Sequence, residues 1–287
     1  MPIHVTINIS ESAAAVASQP EGVTISTEGL RSDVRTLQEI FADDISPFPA
    51  AGIDGFLSHF VVAVRFLRGE RAGQLFTFTL EPAVQTVSRS QPFVYQGAQA
   101  RAHAANVPMP RGSTLTPEIT ESQFLVRPAK FFEPGKEHIW LQILNLDAQG
   151  QTSLGPVRFK LGETLKRDYP DLFHPSLGLA QSLARSGFPA RFFFSPIAVF
   201  ETPFGAFKTR PKVLEARRIV EIPPIGSVSI SEVVPLDSVE ELRAVAKGPG
   251  AAAAQPAAQL VALAHPIDAA LRIPGEEAFS TVQARIA

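Results

Sequence analysis

The stretch HFVVAVRFLRGERAGQLFTFTL, residues 59–80, decides the fold class of this chain. Two apolar runs flank a glycine-containing turn, and the second run alternates Phe76, Phe78 and Leu80 with threonines. Alternation with a period of two is typical of a β-strand that has one face in the core. We therefore expect a β-hairpin in this stretch.

A second stretch, EHIWLQILNLDAQGQTSLGPVRFKL at residues 137–161, has the same arrangement. Two independent hairpins of one body explain this likeness more simply than an internal duplication, which stays the alternative. The chain also spreads 25 prolines and 19 glycines over 287 residues, which favours many short elements joined by turns. The sequence therefore predicts a mainly β fold, with a sandwich or jelly-roll-like body and a few short helices, or α+β as the alternative.

The periodicity divides the chain into three parts. Residues 1–54 form an N-terminal arm, with an alternating strand over 3–9 and a helical pattern over 32–44. Residues 55–246 form the β-rich body, in which two subdomains would divide near residue 165. Residues 247–287 begin with an Ala/Gly/Pro linker and continue as short helical pieces interrupted by prolines.

Two more helices and a long loop are expected inside the body. The stretch at 166–187, KRDYPDLFHPSLGLAQSLARSG, predicts a turn and a short helix that ends at Gly187. Ser238 with Glu241 three residues later forms a capping box, which predicts a helix from there. Residues 97–118 have no periodic pattern, and a loop of that length is usually functional or disordered.

The stretch ARFFFSPIAVFETPFGAF at residues 190–207 concentrates phenylalanine. Its alternation turns Phe192 and Phe194 to one face and Phe193 to the other, and a hairpin tip is expected near Pro203 and Gly205. Both faces must then be covered, by the core, by another subunit, or by a membrane or an apolar ligand. The candidates for an interface are the six phenylalanines Phe192, Phe193, Phe194, Phe200, Phe204 and Phe207.

The sequence carries no familiar catalytic signature. The absence of cysteine excludes disulfides, thiolate nucleophiles and Cys-ligated metal sites. The one local cluster with metal-ligand residue types is Asp168, Asp171 and His174, which a helix would align. Since two prolines interrupt this segment, the sequence favours a turn whose Asp and His cap a following helix, and no metal site is expected. No cofactor is expected.

The net charge and the hydropathy of the chain limit the kinds of partner that can be expected. A net charge of −2 without a large basic cluster gives no footprint for nucleic acid. The first twenty residues alternate where a signal peptide would be continuously apolar, and no apolar run reaches eighteen residues, so a membrane partner is not expected. The expectation is a soluble, cytoplasmic protein or a component of an assembled particle.

Two functions follow as hypotheses. The first is a non-enzymatic, self-assembling subunit of a shell, tube, capsid or baseplate, whose partner is itself or another protein. The alternative is an enzyme or small-ligand binder with an apolar, Phe-lined pocket that uses Asp168, Asp171 or His174 as polar groups.

Overall fold

A computed structural model describes residues 46–96, 101–102, 119–120, 123–126, 128–222, 228–231, 234–246, 255–266 and 273–274. The strand predicted at 3–9, the helix predicted at 32–44 and most of the loop at 97–118 lie outside these residues. Within them the chain is mainly β, as the sequence predicts. None of the helices in the described segments has the length and apolar character needed to cross a bilayer.

Residues 52–161 contribute seven strands: β1 (Gly52–Phe66), β2 (Leu75–Arg89), β3 (Phe93–Val94), β4 (Arg101–Ala102), β5 (Ile119–Thr120), β6 (Glu137–Thr152) and β7 (Gly155–Leu161). Residues 176–274 contribute nine: β8 (Ser176–Ser182), β9 (Ala190–Ser195), β10 (Val199–Thr202), β11 (Gly205–Thr209), β12 (Leu214–Ile219), β13 (Val228–Ser231), β14 (Val234–Ser238), β15 (Ala258–Pro266) and β16 (Ile273–Pro274). Two α-helices, α1 (Gly162–Asp168) and α2 (Val239–Ala246), and a 3₁₀ turn (Ala129–Phe131) complete the elements.

Eight of the strands form a closed ring in the order β6, β2, β1, β15, β14, β11, β10 and β7. The ring closes because the second half of β6 pairs with β7, from Leu146 opposite Leu161 to Thr152 opposite Gly155. The first half of β6 pairs instead with β8, which continues outward to β9 and β12. Strand β6 therefore belongs both to the ring and to an extension of three strands beside it.

Both predicted hairpins are confirmed, as β1–β2 and β6–β7. The Phe-rich stretch also forms the predicted hairpin β10–β11, in which Thr202 lies opposite Gly205. The helix predicted after Ser238 is confirmed as α2, and the backbone N–H of Glu241 donates to Ser238 Oγ (3.5 Å) at its start. The Glu241 carboxylate pairs with Arg68.

The helix predicted within 176–187 is wrong, since these residues form β8. Every residue of β8 is buried, so the strand shows no alternation of polar and apolar side chains, and its Leu, Ala and Gln also suit a helix. The helical pieces predicted after residue 259 are wrong over β15, because its Leu and Ala side chains suit a helix as well as a strand. This Ala- and Leu-rich segment pairs with β1 on one side and with β13 and β14 on the other. The division into arm, body and tail stays a prediction.

Candidate functional site: an apolar cavity

The inner face of the sheet lines a cavity of about 80 Å³ that is partly open to solvent. It lies where the ring meets the extension, and strands from both contribute to its wall. Seventeen side chains line it, of which two, Asp54 and Gln85, are polar. The apolar remainder of the wall comprises Phe56, Phe60, Val87, Leu141, Ile143, Leu146, Phe159, Leu161, Phe192, Phe194, Pro196, Leu214, Ile219, Ile222 and Leu263.

Strand alternation places these side chains. Along β6, Leu141 and Ile143 face the cavity, while Trp140 packs in a separate aromatic cluster on the opposite face of the sheet. Along β9, Phe192 and Phe194 face the cavity and Phe193 joins the cluster of Trp140. The predicted alternation of the three phenylalanines is therefore confirmed.

A glycine on the neighbouring strand makes room for one wall residue. Gly178 lies opposite Phe194, and a Cβ at Gly178 would come within 2.8 Å of the Phe194 ring. The ring therefore occupies the space that a larger side chain on β8 would fill. A second void of about 20 Å³ next to the cavity shares Phe159, Leu214 and Leu263 with it.

An ion pair lies at the polar part of the wall. Asp54 is only 6% exposed, and Arg89 on the adjacent strand donates to its Oδ2. The Arg89 Nε also donates to the carbonyl of Ala50 (2.7 Å). Gly52 leaves space for this guanidinium, because a Cβ there would lie 2.7 Å from Arg89 Nη2. A buried carboxylate needs such a partner, since an unpaired charge in an apolar wall is strongly unfavourable.

Gln85 is the second polar group of the wall. It lies opposite Phe56 in the β1–β2 register, which makes it the diagonal neighbour of both Asp54 and Ser58. The hydroxyl of Ser58 donates to Gln85 Oε1 (3.1 Å), and both side chains are buried. The wall thus presents a carboxylate and an amide side by side on an otherwise apolar surface.

The six candidate interface phenylalanines divide between the two faces of the sheet. Phe192, Phe193, Phe200 and Phe207 are buried in the chain's own core, whereas Phe194 and Phe204 are only partly buried. Phe192 and Phe194 also line the cavity, as the pocket hypothesis expects of the Phe-rich stretch. A contact of the partly buried rings with another protein stays a prediction.

The metal-ligand candidates take separate partners on the outside of the ring. Asp168 ends α1 and pairs with Lys160 Nζ (2.8 Å) and with Arg167, whereas Asp171 pairs with Arg243. The ring of His174 interacts with the carbonyl of Pro175 (3.1 Å). The segment after Asp168 is not helical, and the helix expected to be capped by these residues is strand β8. Among the described residues, no three His, Asp or Glu side chains are placed to hold a metal ion.

Lys160 is the centre of this outer network. Its side chain is 5% exposed, and its Nζ also donates to Glu201 Oε1 (2.5 Å). Tyr169 donates to the same Glu201 oxygen (2.7 Å). Hydrogen bonds from Arg167, reinforced by Lys160, lower the pKa of Asp168 to about 2. Burial and the hydrogen bond to Glu201 raise the pKa of the Tyr169 phenol.

A buried histidine lies on the face opposite the cavity. His138 Nδ1 lies 2.8 Å from the carbonyl oxygen of Lys136, and Nε2 lies 2.9 Å from the carbonyl oxygen of Phe131 and 2.9 Å from the side-chain amide of Gln181. When the Gln181 nitrogen donates to Nε2, the Gln181 oxygen accepts from Arg191. Burial lowers the pKa of His138, while the two backbone carbonyls oppose this shift.

The polar residues of the cavity, Asp54 and Gln85, were not among the sequence candidates. Asp54 had a usable signal, because it is a carboxylate between Ile53 and Gly55 at the start of an apolar strand. The arrangement that pairs it with Arg89 depends on the β1–β2 register, which the sequence does not reveal.

No family model matches the chain, and no curated protein matches it. Among solved structures, the chain is similar to that of DynF from the dynemicin biosynthesis pathway of Micromonospora chersina, with 15% identity and a TM-score of 0.47. The similarity covers 79% of this chain and 86% of the DynF chain. A likeness at this level carries no argument about function.

Proposed function

We propose that this protein binds a small apolar molecule in the cavity between the ring and the extension. The observation that carries the proposal is the composition of the wall, in which fifteen of the seventeen side chains are apolar and the remaining two lie on adjacent strands. Ligand sites typically combine an apolar lining with a small number of polar groups that orient the ligand. This is the second of the two hypotheses from the sequence, with Asp54 and Gln85 in place of Asp168, Asp171 and His174.

Xenon tests whether the cavity accepts an apolar guest, since apolar cavities in other proteins bind it. With methyl-labelled protein under xenon pressure, we expect shifts in the NMR signals of Leu141, Ile143 and Leu263. The variant Leu214→Trp fills the cavity and should abolish these shifts. Val213→Trp is the matched control, because Val213 packs against the Trp140 cluster on the other face and Leu214 lines the cavity.

Unchanged methyl signals at high xenon pressure in the wild-type protein would contradict the proposal. Equal loss of the shifts in Leu214→Trp and Val213→Trp would also contradict it, because the binding would then not depend on this cavity.

Self-assembly is a second proposal, supported by apolar side chains at one end of the ring. Arg71 in the β1–β2 turn lies over the Phe204 ring (4.0 Å), and the space beside Gly155 in the β6–β7 turn is bounded by Pro203. Three turns therefore meet at this end, which carries Leu67 and Leu154 with 41% and 58% of their surface exposed. Apolar side chains that cluster on a surface favour contact with another protein.

Light scattering over a range of protein concentrations tests this second proposal. A mass above 30.9 kDa that returns to that value in Leu154→Asp would support it. A mass of 30.9 kDa at every concentration would contradict self-assembly of the isolated chain.

A further inference from the structure

We infer that the ligand of the cavity is a small neutral molecule whose apolar part carries one hydrogen-bond-accepting oxygen, and that the amide of Gln85 binds this oxygen. The inference rests on the proposed function. It adds the chemical class of the ligand and the residue that selects it.

The donor is the amide nitrogen of Gln85. The side chain is 4% exposed and lines the cavity, and its Oε1 already accepts a hydrogen bond from Ser58. The hydrogen bond from Ser58 engages Oε1 and leaves the Nε2 donor for a ligand in the cavity. An oxygen on the ligand would accept a hydrogen bond from this amide.

The charges at the wall select against ionic ligands. Asp54 and Arg89 lie together at this part of the site and neutralise each other. A ligand carboxylate would approach the Asp54 carboxylate, which lines the cavity, and a ligand ammonium would compete with Arg89, which already neutralises Asp54. Either ion would also lose its hydration among fifteen apolar side chains. A carbonyl, ether or hydroxyl oxygen has neither disadvantage.

The volume limits the size of the ligand. An apolar cavity of about 150 Å³ accommodates benzene. The present cavity, at about 80 Å³, has about half that volume and therefore has space for a chain of a few carbon atoms. Short ketones and alcohols combine such a chain with one oxygen.

The experiment compares two probes of the same shape, 2-pentanone and 2-methyl-1-pentene. In 2-methyl-1-pentene a methylene group replaces the carbonyl oxygen of the ketone. Both are titrated into methyl-labelled protein, and the ratio of their Kd values is the readout. Gln85→Met keeps the length of the side chain and removes the donor. We expect this variant to shift the ratio by about three- to tenfold against the ketone, the effect of one neutral hydrogen bond, while the alkene still binds.

Two further variants complete the design. Ser58→Ala combined with Gln85→Met also removes the hydroxyl that donates to Gln85 in the wild type, and it gives the same readout if the single variant fails to fold. Gln142→Met is the matched control. Gln142 is a buried glutamine on β6 that does not line the cavity, so its replacement should leave the ratio unchanged.

The outcomes separate this inference from the proposed function. If the alkene binds the wild-type protein but the ratio is the same in Gln85→Met, the inference is overturned and the proposed function stands. If neither probe binds and xenon does not bind, the proposed function fails and the inference fails with it. Binding of pentanoate or pentylammonium as tightly as the ketone would overturn the assignment of a neutral ligand.

Discussion

Phe159 and Phe200 stack against each other inside the ring, with centroids 4.4 Å apart and 16° between the ring planes. They lie directly opposite each other on β7 and β10, so the pairing of the two strands brings the rings together. Neither ring is more than 3% exposed. This contact connects the strand that closes the ring to the Phe-rich hairpin.

We expect Phe200→Ala to lower the free energy of unfolding by about 3–5 kcal/mol, because it removes a fully buried ring and leaves a cavity. Phe204→Ala is the comparison, since Phe204 is only partly buried in a turn, and its loss should be smaller. Urea denaturation of the two variants measures the difference. Similar losses of unfolding free energy in the two variants would contradict the difference in burial between Phe200 and Phe204.

Gly162→Ala should destabilise the protein more than Gly135→Ala. Both glycines have positive φ, of 63° and 80°, which costs an alanine about 1–2 kcal/mol. A Cβ at Gly162 would in addition come within 2.0 Å of the carbonyl oxygen of Leu144, whereas the space beside Gly135 is open. The difference between the two free energies of unfolding isolates this steric overlap, and equal values would contradict it.

Replacing Lys160 tests the outer network. Lys160→Met leaves Asp168 and Glu201 without their shared cation, and we expect the free energy of unfolding to fall by about 1–3 kcal/mol. Because Lys160 helps to lower the pKa of Asp168, that pKa should rise in the variant. Adding Glu201→Gln should recover part of the stability. A double variant as unstable as Lys160→Met alone would show that charge repulsion is not the cause.

His138 should make stability depend on pH between about 5 and 7. Its pKa is lower in the folded protein than its usual value of about 6.5, so the unfolded chain binds more protons in this window. Stability is therefore fully present above pH 6.5 and decreases as the pH falls below it. The lowered pKa of Asp168 means that its ionised carboxylate stabilises the folded protein. This contribution to stability is lost in more acidic solution, as the pH falls from about 4 towards 2.

The measurement is the free energy of unfolding of wild type and His138→Gln at several pH values from 5 to 8. The variant should show a smaller slope. His174→Gln is the control, because the half-buried ring of His174 interacts locally with Pro175. A slope that His138→Gln leaves unchanged would assign the dependence to other groups.

Alternation in the sequence was sufficient to predict the elements with one polar or exposed face. In β2, Phe76, Phe78 and Leu80 are buried while the intervening threonines are exposed, and the hairpin followed from that pattern. The same alternation predicted that Phe193 faces away from Phe192 and Phe194. Strand β8, in which every residue is buried, carries no such pattern, and packing between neighbouring strands overrides the local helical preference of β8 and β15.

The cavity could not be predicted because its wall is assembled from distant parts of the chain. Phe56 and Leu263, both in the wall, are separated by more than two hundred residues. Only the Phe-rich stretch suggested an apolar pocket, and the polar groups assigned to it were taken from the outer network around Asp168. Which side chains share the cavity depends on strand order and register, which the composition of a single stretch does not specify.

The position of β15 in the ring has a consequence for the order of events during synthesis. In the ring, β15 lies between β1 and β14. Strand β1 emerges from the ribosome long before residues 258–266, which form β15, are translated. Until then the edge of β1 that will pair with β15 lacks this partner, and an open strand edge promotes association with other chains. Closing so long a loop is also slow. The nascent chain is thus most vulnerable to misassembly while residues 67–257 are translated, and chaperones that shield strand edges would act in that interval.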